Sequence, residues 1–309
     1  MTDSLVISLG GNAFTAPGES MSMAGQFAFA ARTLAPLSEL LATDTQVLIT
    51  HGNGPQVGYI LTRVEEALGK AYILPLEVCV AESEGEIGYV LQQTLHNLTC
   101  GKRPVATLLT QVQVDADDAA FANPTKPIGP WFEGAQVEAL EGADMALVYD
   151  GAGRARRVVA SPAPQAIIEV DVIRQMLALG IVVIAAGGGG IPVVENDGHL
   201  QGVEAVVDKD LATALLAGAI GAGRLVLVTG VAGVYRDFDT PQARLLEHPT
   251  PDQLRTLARE GQFPAGSMGP KVEAALAFVE QTGNTAVICQ PGDLLEAVAG
   301  RAGTVITAG

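Results

Sequence analysis

Residues 176–194 read MLALGIVVIAAGGGGIPVV, and the fold turns on what this uncharged run is. It is as long as a membrane span, which takes about 20 mostly apolar residues. Five glycines and Pro192 interrupt it, however, with Gly187–Gly190 consecutive. The run therefore reads as a short buried strand, Ile181–Ala186, leading into a glycine loop. Similar apolar runs stand at Leu5–Leu9, Val47–Thr50, Val105–Thr110, Leu225–Thr229 and Ala286–Cys289. Most are apolar throughout instead of alternating, as strands covered on both faces are. Helical patterns separate them, near 24–42, 56–69, 84–98, 168–179, 209–221, 251–260 and 270–282. The last carries Val272, Leu276 and Val279 at helical spacing. Strand followed by helix, repeated, predicts an α/β sandwich around a largely parallel sheet.

Residues 112–165 break that rhythm within what otherwise reads as one domain over 1–309. Asn123–Trp131, NPTKPIGPW, sets three prolines and a glycine around Lys126. Proline fixes φ and removes a backbone donor, so neither a helix nor a central strand is expected there. The stretch reads as a stiffened loop that presents one long cation. A short acidic helix near 133–141, the basic turn GRARRVV at 153–159 and SPAP at 161–164 follow. The segment is expected to be an inserted lobe and a possible mobile lid; a plain surface excursion is the alternative.

Eighteen basic against 34 acidic side chains give a net charge of −16. Such a field repels nucleic acid and anionic membranes, and no basic stripe offsets it. An anionic substrate would need locally concentrated lysines, so each lysine is informative. Cys79, Cys100 and Cys289 are odd in number and far apart, which fits neither a disulfide framework nor a metal site and favours a reducing compartment. The four histidines are scattered and no protein metal site is expected. The opening MTDSLVISLGGNAF has no basic-then-apolar leader pattern, so a soluble cytoplasmic protein is expected.

Four loops at strand ends carry glycine: SLGGNAF with Gly10, Gly11 and Asn12; ITHGNGPQVG with His51, Gly52, Asn53 and Gly54; AAGGGGIPVV; and LTGVAGVY with Gly230 and Gly233. Consecutive glycines let backbone N–H groups converge on an anion, and this edge of an open α/β sheet is where ligands bind. Each loop alone could be a tight turn. None matches the dinucleotide or Walker pattern. Two lysines open helices: Lys209 after the N-cap Asp208, with Asp210 beside it, and Lys271 after Ser267 and Pro270. A first-turn lysine opposes the helix dipole by about 0.3–1 kcal/mol unless an anion sits nearby. A triplet such as Asp208–Asp210 can also be only a charged cap. Lys126, Lys209 and Lys271 together suit phosphoryl transfer, in which positioning and charge neutralisation supply most of the catalysis.

The stretches LGGNA, THGNGPQVG, PTKPIGP, GGGGIPV, GVEAVVDKDLA and GSMGPKVEAA resemble the signatures of carbamate kinase, within the amino-acid kinase superfamily. The resemblance runs from about residue 5 to 307. It implies a three-layer α/β/α sandwich with a protruding inserted subdomain, usually homodimeric. The implied reaction is magnesium-dependent transfer between ATP and carbamate, giving ADP and carbamoyl phosphate, often run toward ATP in catabolism. By motif, Lys209 and Lys271 would stabilise the transferring group, Asp208 would hold the lysines, and Lys126 would reach in from the subdomain. Gly10, Gly11, Asn12, Gly52 and Asn53 would hold the carbamate end. Thr229, Gly230, Val234, Tyr235 and Met268 would surround the nucleotide, and magnesium would ride mainly on its phosphates.

The chain departs from the family pattern at Ala160, where proline is expected, and at Glu84, where glutamine is common. Its opening helix, GESMSMAGQFAFAAR, is also unusually apolar. Two alternatives remain beside the favoured reading. One is a sister kinase acting on another carboxylate such as acetylglutamate; the other is a silent nucleotide sensor, against which the intact lysines argue.

Overall fold

The computed structural model describes residues 4–10, 22–142, 145–264 and 266–308. Its central sheet has seven strands in the order Thr304–Ile306, Thr285–Cys289, Arg224–Val228, Ser4–Leu9, Gln46–His51, Val182–Ile184 and Val105–Thr107. All neighbours run parallel except the first pair, which is antiparallel. Ile7 stands opposite both Ile49 and Val226 at the centre. The apolar character of these strands on both faces now has its cause. Val6, Leu48, Val183, Leu225 and Leu227 pack into one core with helices Val170–Ala178, Lys209–Ile220 and Met268–Thr282. Their sequence neighbours Leu5, Ile7, Val47, Ile49 and Val226 pack into another, with helices Met23–Leu34, Leu76–Leu98 and Leu294–Val298. Period-two alternation is present but invisible, because both partners are apolar. The result is a three-layer α/β/α sandwich.

Two of the expected strands are shorter than the apolar runs suggested. Val105–Thr107 and Val182–Ile184 leave the central sheet together, and Gln111–Val114 and Ile191–Asn196 then pair again, still parallel, in a second sheet. That sheet has the order His199–Gly202, Ile191–Asn196, Gln111–Val114, Pro164–Ile167. Gly187–Gly190 is the passage from one sheet to the other. No described helix is long and apolar enough to cross a membrane, and the 176–194 run holds the end of helix Val170–Ala178, a strand, the passage and the start of a second strand.

Lys126–Phe132 is a strand and not the loop that its prolines suggested. It lies at the edge of a three-stranded antiparallel sheet, beside Ala155–Val159, which in turn pairs with Leu147–Tyr149. An edge strand has one side free of ladder bonds, which is where proline is tolerated. The pairing is irregular between Ile128 and Phe132, where Gly129 has φ +71°. A third core joins this small sheet to the body. Ile128 and Val159 meet Val57, Ile60 and Leu61 of helix Gly54–Glu66, together with Val206.

Candidate active site

The opening strand ends with Ser8 and Leu9, and its neighbour Gln46–His51 ends beside it; the Gly52 N–H donates to the Leu9 carbonyl at 3.0 Å and knits the two ends. Helix Lys209–Ile220 starts over this edge. Its N-cap is Asp208, whose Oδ1 accepts from the N–H groups of Asp210 at 2.9 Å and Leu211 at 3.4 Å. Ser, Thr, Asp and Asn are the preferred caps because a short side-chain oxygen reaches these otherwise orphaned donors. The other oxygen of Asp208, Oδ2, takes the ammonium of Lys126 from the small sheet.

Lys209 and Lys271 converge on a different carboxylate. Lys209 Nζ donates to Asp210 Oδ1, and Lys271 Nζ to Asp210 Oδ2 at 2.9 Å. Lys209 also donates to Ser8 Oγ at 2.8 Å, and that hydroxyl faces Asp210 Oδ1 at 3.3 Å. Asp208 was expected to hold the lysines; it caps the helix and receives Lys126 of the three, while Asp210 lies between Lys209 and Lys271. The division follows from helix geometry, since the cap residue faces backward onto the first turn and leaves the next carboxylate free. Ser8 was not singled out from sequence. Its only signal was a lone hydroxyl near the end of an otherwise apolar run.

Electrostatics of this cluster follow from its dryness. Asp210 and Lys209 are both buried. Burial alone would raise the Asp210 carboxyl, yet Lys209 and Lys271 together outweigh it and hold the group far below the usual carboxylate range. Burial lowers the Lys209 ammonium from the ordinary lysine value, against the pull of Asp210 and with Lys271 adding repulsion. The pairing costs Lys209 its water and keeps Asp210 ionised.

On the side expected to hold carbamate, Gly10 is half-buried, Gly52 and Asn53 are buried, and Gly11 and Asn12 lie outside the described residues. Asn53 occupies the N-cap position of helix Gly54–Glu66 without capping it; its amide donates instead to Ser83 Oγ at 2.8 Å. The 187–190 passage was expected to offer backbone donors to an anion. Two of those N–H groups are consumed locally, Gly189 on the Ala186 carbonyl and Gly190 on that of Gly187. Its glycines are set by close packing. At Gly188, with φ +66°, a Cβ would lie 2.0 Å from the Asn53 amide nitrogen.

His51 stands against Gly187, and burial pushes its imidazole down to about 4, with the Gly52 carbonyl and Lys209 acting in opposite senses. It is neutral at pH 7. Glu84 is buried beside the same face of Gly187 and accepts the Thr110 N–H at 3.0 Å. The Ala160 carbonyl accepts the Val206 N–H at 3.0 Å, a bond that a proline there would equally make.

Of the residues expected around nucleotide, Thr229 and Gly230 follow strand Arg224–Val228, and the Thr229 N–H donates to the Cys289 carbonyl at 2.8 Å. Val234 is buried and donates to Thr304 Oγ1 at 2.7 Å. Tyr235 begins a two-stranded ribbon, its ring 5.6 Å from that of exposed Phe238. Met268 opens the helix that carries Lys271, whose N-cap Ser267 makes no side-chain cap. A wide cleft of about 910 Å³ lies elsewhere, at the amino ends of the strands, lined by Thr43, Gln46, Arg103, Pro104 and Gly180. It holds none of these groups.

A model of the amino acid kinase family matches residues 3–290. The chain is 43% identical to the carbamate kinase-like protein YahI of Escherichia coli, over 99% of each. It is 40% identical to the carbamate kinase of Pyrococcus horikoshii, over 99% of this chain and all of that one. Its structure superposes with a TM-score of 0.91 on the carbamate kinase from Giardia lamblia bound to AMP-PNP, at 36% identity, covering 99% and 98% of the two chains. With this similarity running along the whole chain, and with the lysine motifs that carried the resemblance folded onto one sheet edge, the chain belongs to the carbamate kinases of the amino acid kinase family.

Proposed function

We propose that this enzyme transfers a phosphoryl group reversibly between ATP and carbamate, giving ADP and carbamoyl phosphate. The observation that carries the reading is the placing of Lys209 and Lys271 on the two oxygens of Asp210, with Lys126 delivered beside them onto Asp208. In transfer the bond from phosphorus to one oxygen forms as the bond to the other breaks, and charge spreads over three equatorial oxygens. Lys209 and Lys271, spaced by one carboxylate, can flank those oxygens without closing on each other. Lys126 exchanges Asp208 for the phosphoryl group and adds a third ammonium. Carbamate is already anionic, so the attacking oxygen needs no general base, and neutral His51 is left to order the substrate loop. Gly10, Gly11, Asn12, Gly52 and Asn53 face carbamate in this reading, and Thr229, Gly230, Val234, Tyr235 and Met268 border the nucleotide.

Among the described residues no group of three or more His, Cys, Asp or Glu could hold a metal ion. Magnesium in this reading comes with the nucleotide, since Mg²⁺ keeps water and phosphate ligands and needs few from protein. Bound there, it would neutralise phosphate charge. Residues 112–165 act as the lobe that excludes water, which matters because acyl phosphates hydrolyse. The same reading includes a cytoplasmic homodimer; Tyr72, Ile73 and Tyr89, exposed near helices Gly54–Glu66 and Leu76–Leu98, support an apolar contact.

The test is ATP formation from MgADP and carbamoyl phosphate, beside acetyl phosphate, N-acetylglutamyl phosphate and a no-enzyme control. Turnover with carbamoyl phosphate should exceed the others and fall about 10²–10³-fold in Lys271→Ala, the usual cost of one transition-state donor. A rate no greater than the control, or an undiminished Lys271→Ala, overturns the proposal.

A further inference from the structure

Lys126 arrives at Asp208 from a sheet that packs against helix Gly54–Glu66 of the body. Helix Gly54–Glu66 lies against strand Lys126–Phe132, and the closest approach is backbone to backbone. A Cβ at Gly58 would lie 1.9 Å from Gly129 Cα, 2.2 Å from its nitrogen and 3.2 Å from the Ile128 carbonyl carbon. Real Cβ contacts do not fall below 3.0 Å, so even one methyl would force the two elements apart by about 1 Å. Gly129 faces this helix with φ +71°, in the left-handed region, at the irregular point of the strand's pairing. Beside this contact Ile128 and Val159 bury against Val57, Ile60 and Leu61, and Arg157 Nη1 meets Glu65 Oε1 at 2.5 Å. Lys126 is three residues from Gly129, about 10 Å along an extended strand. Pro127 stiffens that stretch, so a shift at the seam is passed on to the ammonium.

We propose that Gly58 and Gly129 are positioning residues: their side-chain-free contact sets the height at which the lobe's edge strand delivers Lys126 to the phosphoryl site. The inference rests on the reading that Lys126 acts in the transfer. A seam this close also explains a glycine in the interior of a helix, where it otherwise costs about 1 kcal/mol relative to alanine.

The experiment is a double-mutant cycle on MgADP and carbamoyl phosphate with Gly58→Ala, Lys126→Ala and the pair, and Gly142→Ala as a lobe control whose Cβ meets nothing within 4 Å. A displacement of this size can cost about 10²-fold in rate. Gly58→Ala is expected to lower kcat by that order with KM for ADP within threefold, while the same change in the Lys126→Ala background costs less than threefold. Gly142→Ala should match wild type. Unchanged kcat in Gly58→Ala, or a full loss repeated in the Lys126→Ala background, overturns the inference. Undiminished turnover in Lys126→Ala alone removes the premise, and the inference with it, and that arm separates the two failures. Should Gly58→Ala not fold by circular dichroism, Gly129→Ala takes its place in the cycle: its Cβ would stand 3.3 Å from Gly58 Cα, and its φ of +71° adds backbone strain at the same seam.

Discussion

Glu84 carries the sharpest consequence at the scale of single residues. Its side chain is 1% exposed. Burial holds the carboxyl protonated well above its ordinary value, the Thr110 N–H opposes this, and Glu169 adds repulsion. The folded protein therefore keeps a proton that the unfolded chain releases near pH 4.5. Wherever the folded state binds the extra proton, stability falls as pH rises, until the buried group itself ionises. Glutamine has the shape of the protonated acid and cannot ionise. Glu84→Gln should thus gain on wild type in urea unfolding as pH rises from 5 to 8, because only the wild type loses stability there. A pH-independent difference would show Glu84 ionised in the fold. Glu84 was marked from sequence only as a departure from pattern. Its burial beside Thr110 and Gly187 depends on contacts 26 and about 100 positions away, which no local window contains. The lysines were readable for the opposite reason: a cation in the first turn of a helix is wrong locally, and that misfit marks Lys209 and Lys271 as wanting an anion beside them. Asp210 and Ser8 break no local rule and needed the fold to reveal them.

At the scale of elements, Arg103 ties together chain ends that no hydrophobic contact could join. It is buried, and its guanidinium donates to the carbonyls of Gly180 at 3.2 Å, Leu41 at 3.4 Å and Thr43 at 3.1 Å, and to that of Thr45. Those carbonyls follow helices Ser38–Leu41 and Val170–Ala178 and precede strand Gln46–His51. A planar fork can serve diverging acceptors at helix C-termini, where a cation is also favoured; lysine has neither the reach nor the geometry. Arg103→Met should cost about 2–3 kcal/mol in urea unfolding through stranded carbonyls, while kcat stays within twofold because this edge is opposite the lysines. A large kcat loss at unchanged stability would contradict that separation. Elements were legible where one strong pattern ruled, as in the helix over Val272, Leu276 and Val279. They were misread where two patterns competed. The long helix starts at Leu76, just after Pro75, and not near 84. In Lys126–Phe132, proline outweighed pairing in the sequence, whereas an edge position reconciles them.

At the scale of the molecule, the site and its surroundings have opposite charge. Lys126, Lys209 and Lys271 against Asp208 and Asp210 leave one positive charge at the site, inside a chain of net −16. For 309 residues the radius of gyration is about 19 Å. At 10 mM salt the Debye length is about 30 Å, so an approaching phosphate dianion meets the field of the whole protein; at 100 mM it is about 10 Å, and mainly the nearby lysines remain. Screening should therefore help before it hinders. With MgADP saturating, kcat/KM for carbamoyl phosphate is expected to rise several-fold from 10 to 100 mM potassium acetate. It should decline at higher salt as contacts between lysine and phosphate are themselves weakened. Most enzymes that draw anions by steering show only the decline. A steady fall from the lowest salt onward would mean that the lysine cluster projects its field beyond the acidic surface, and that the net charge, plain as it is in the composition, does not govern the approach of substrate.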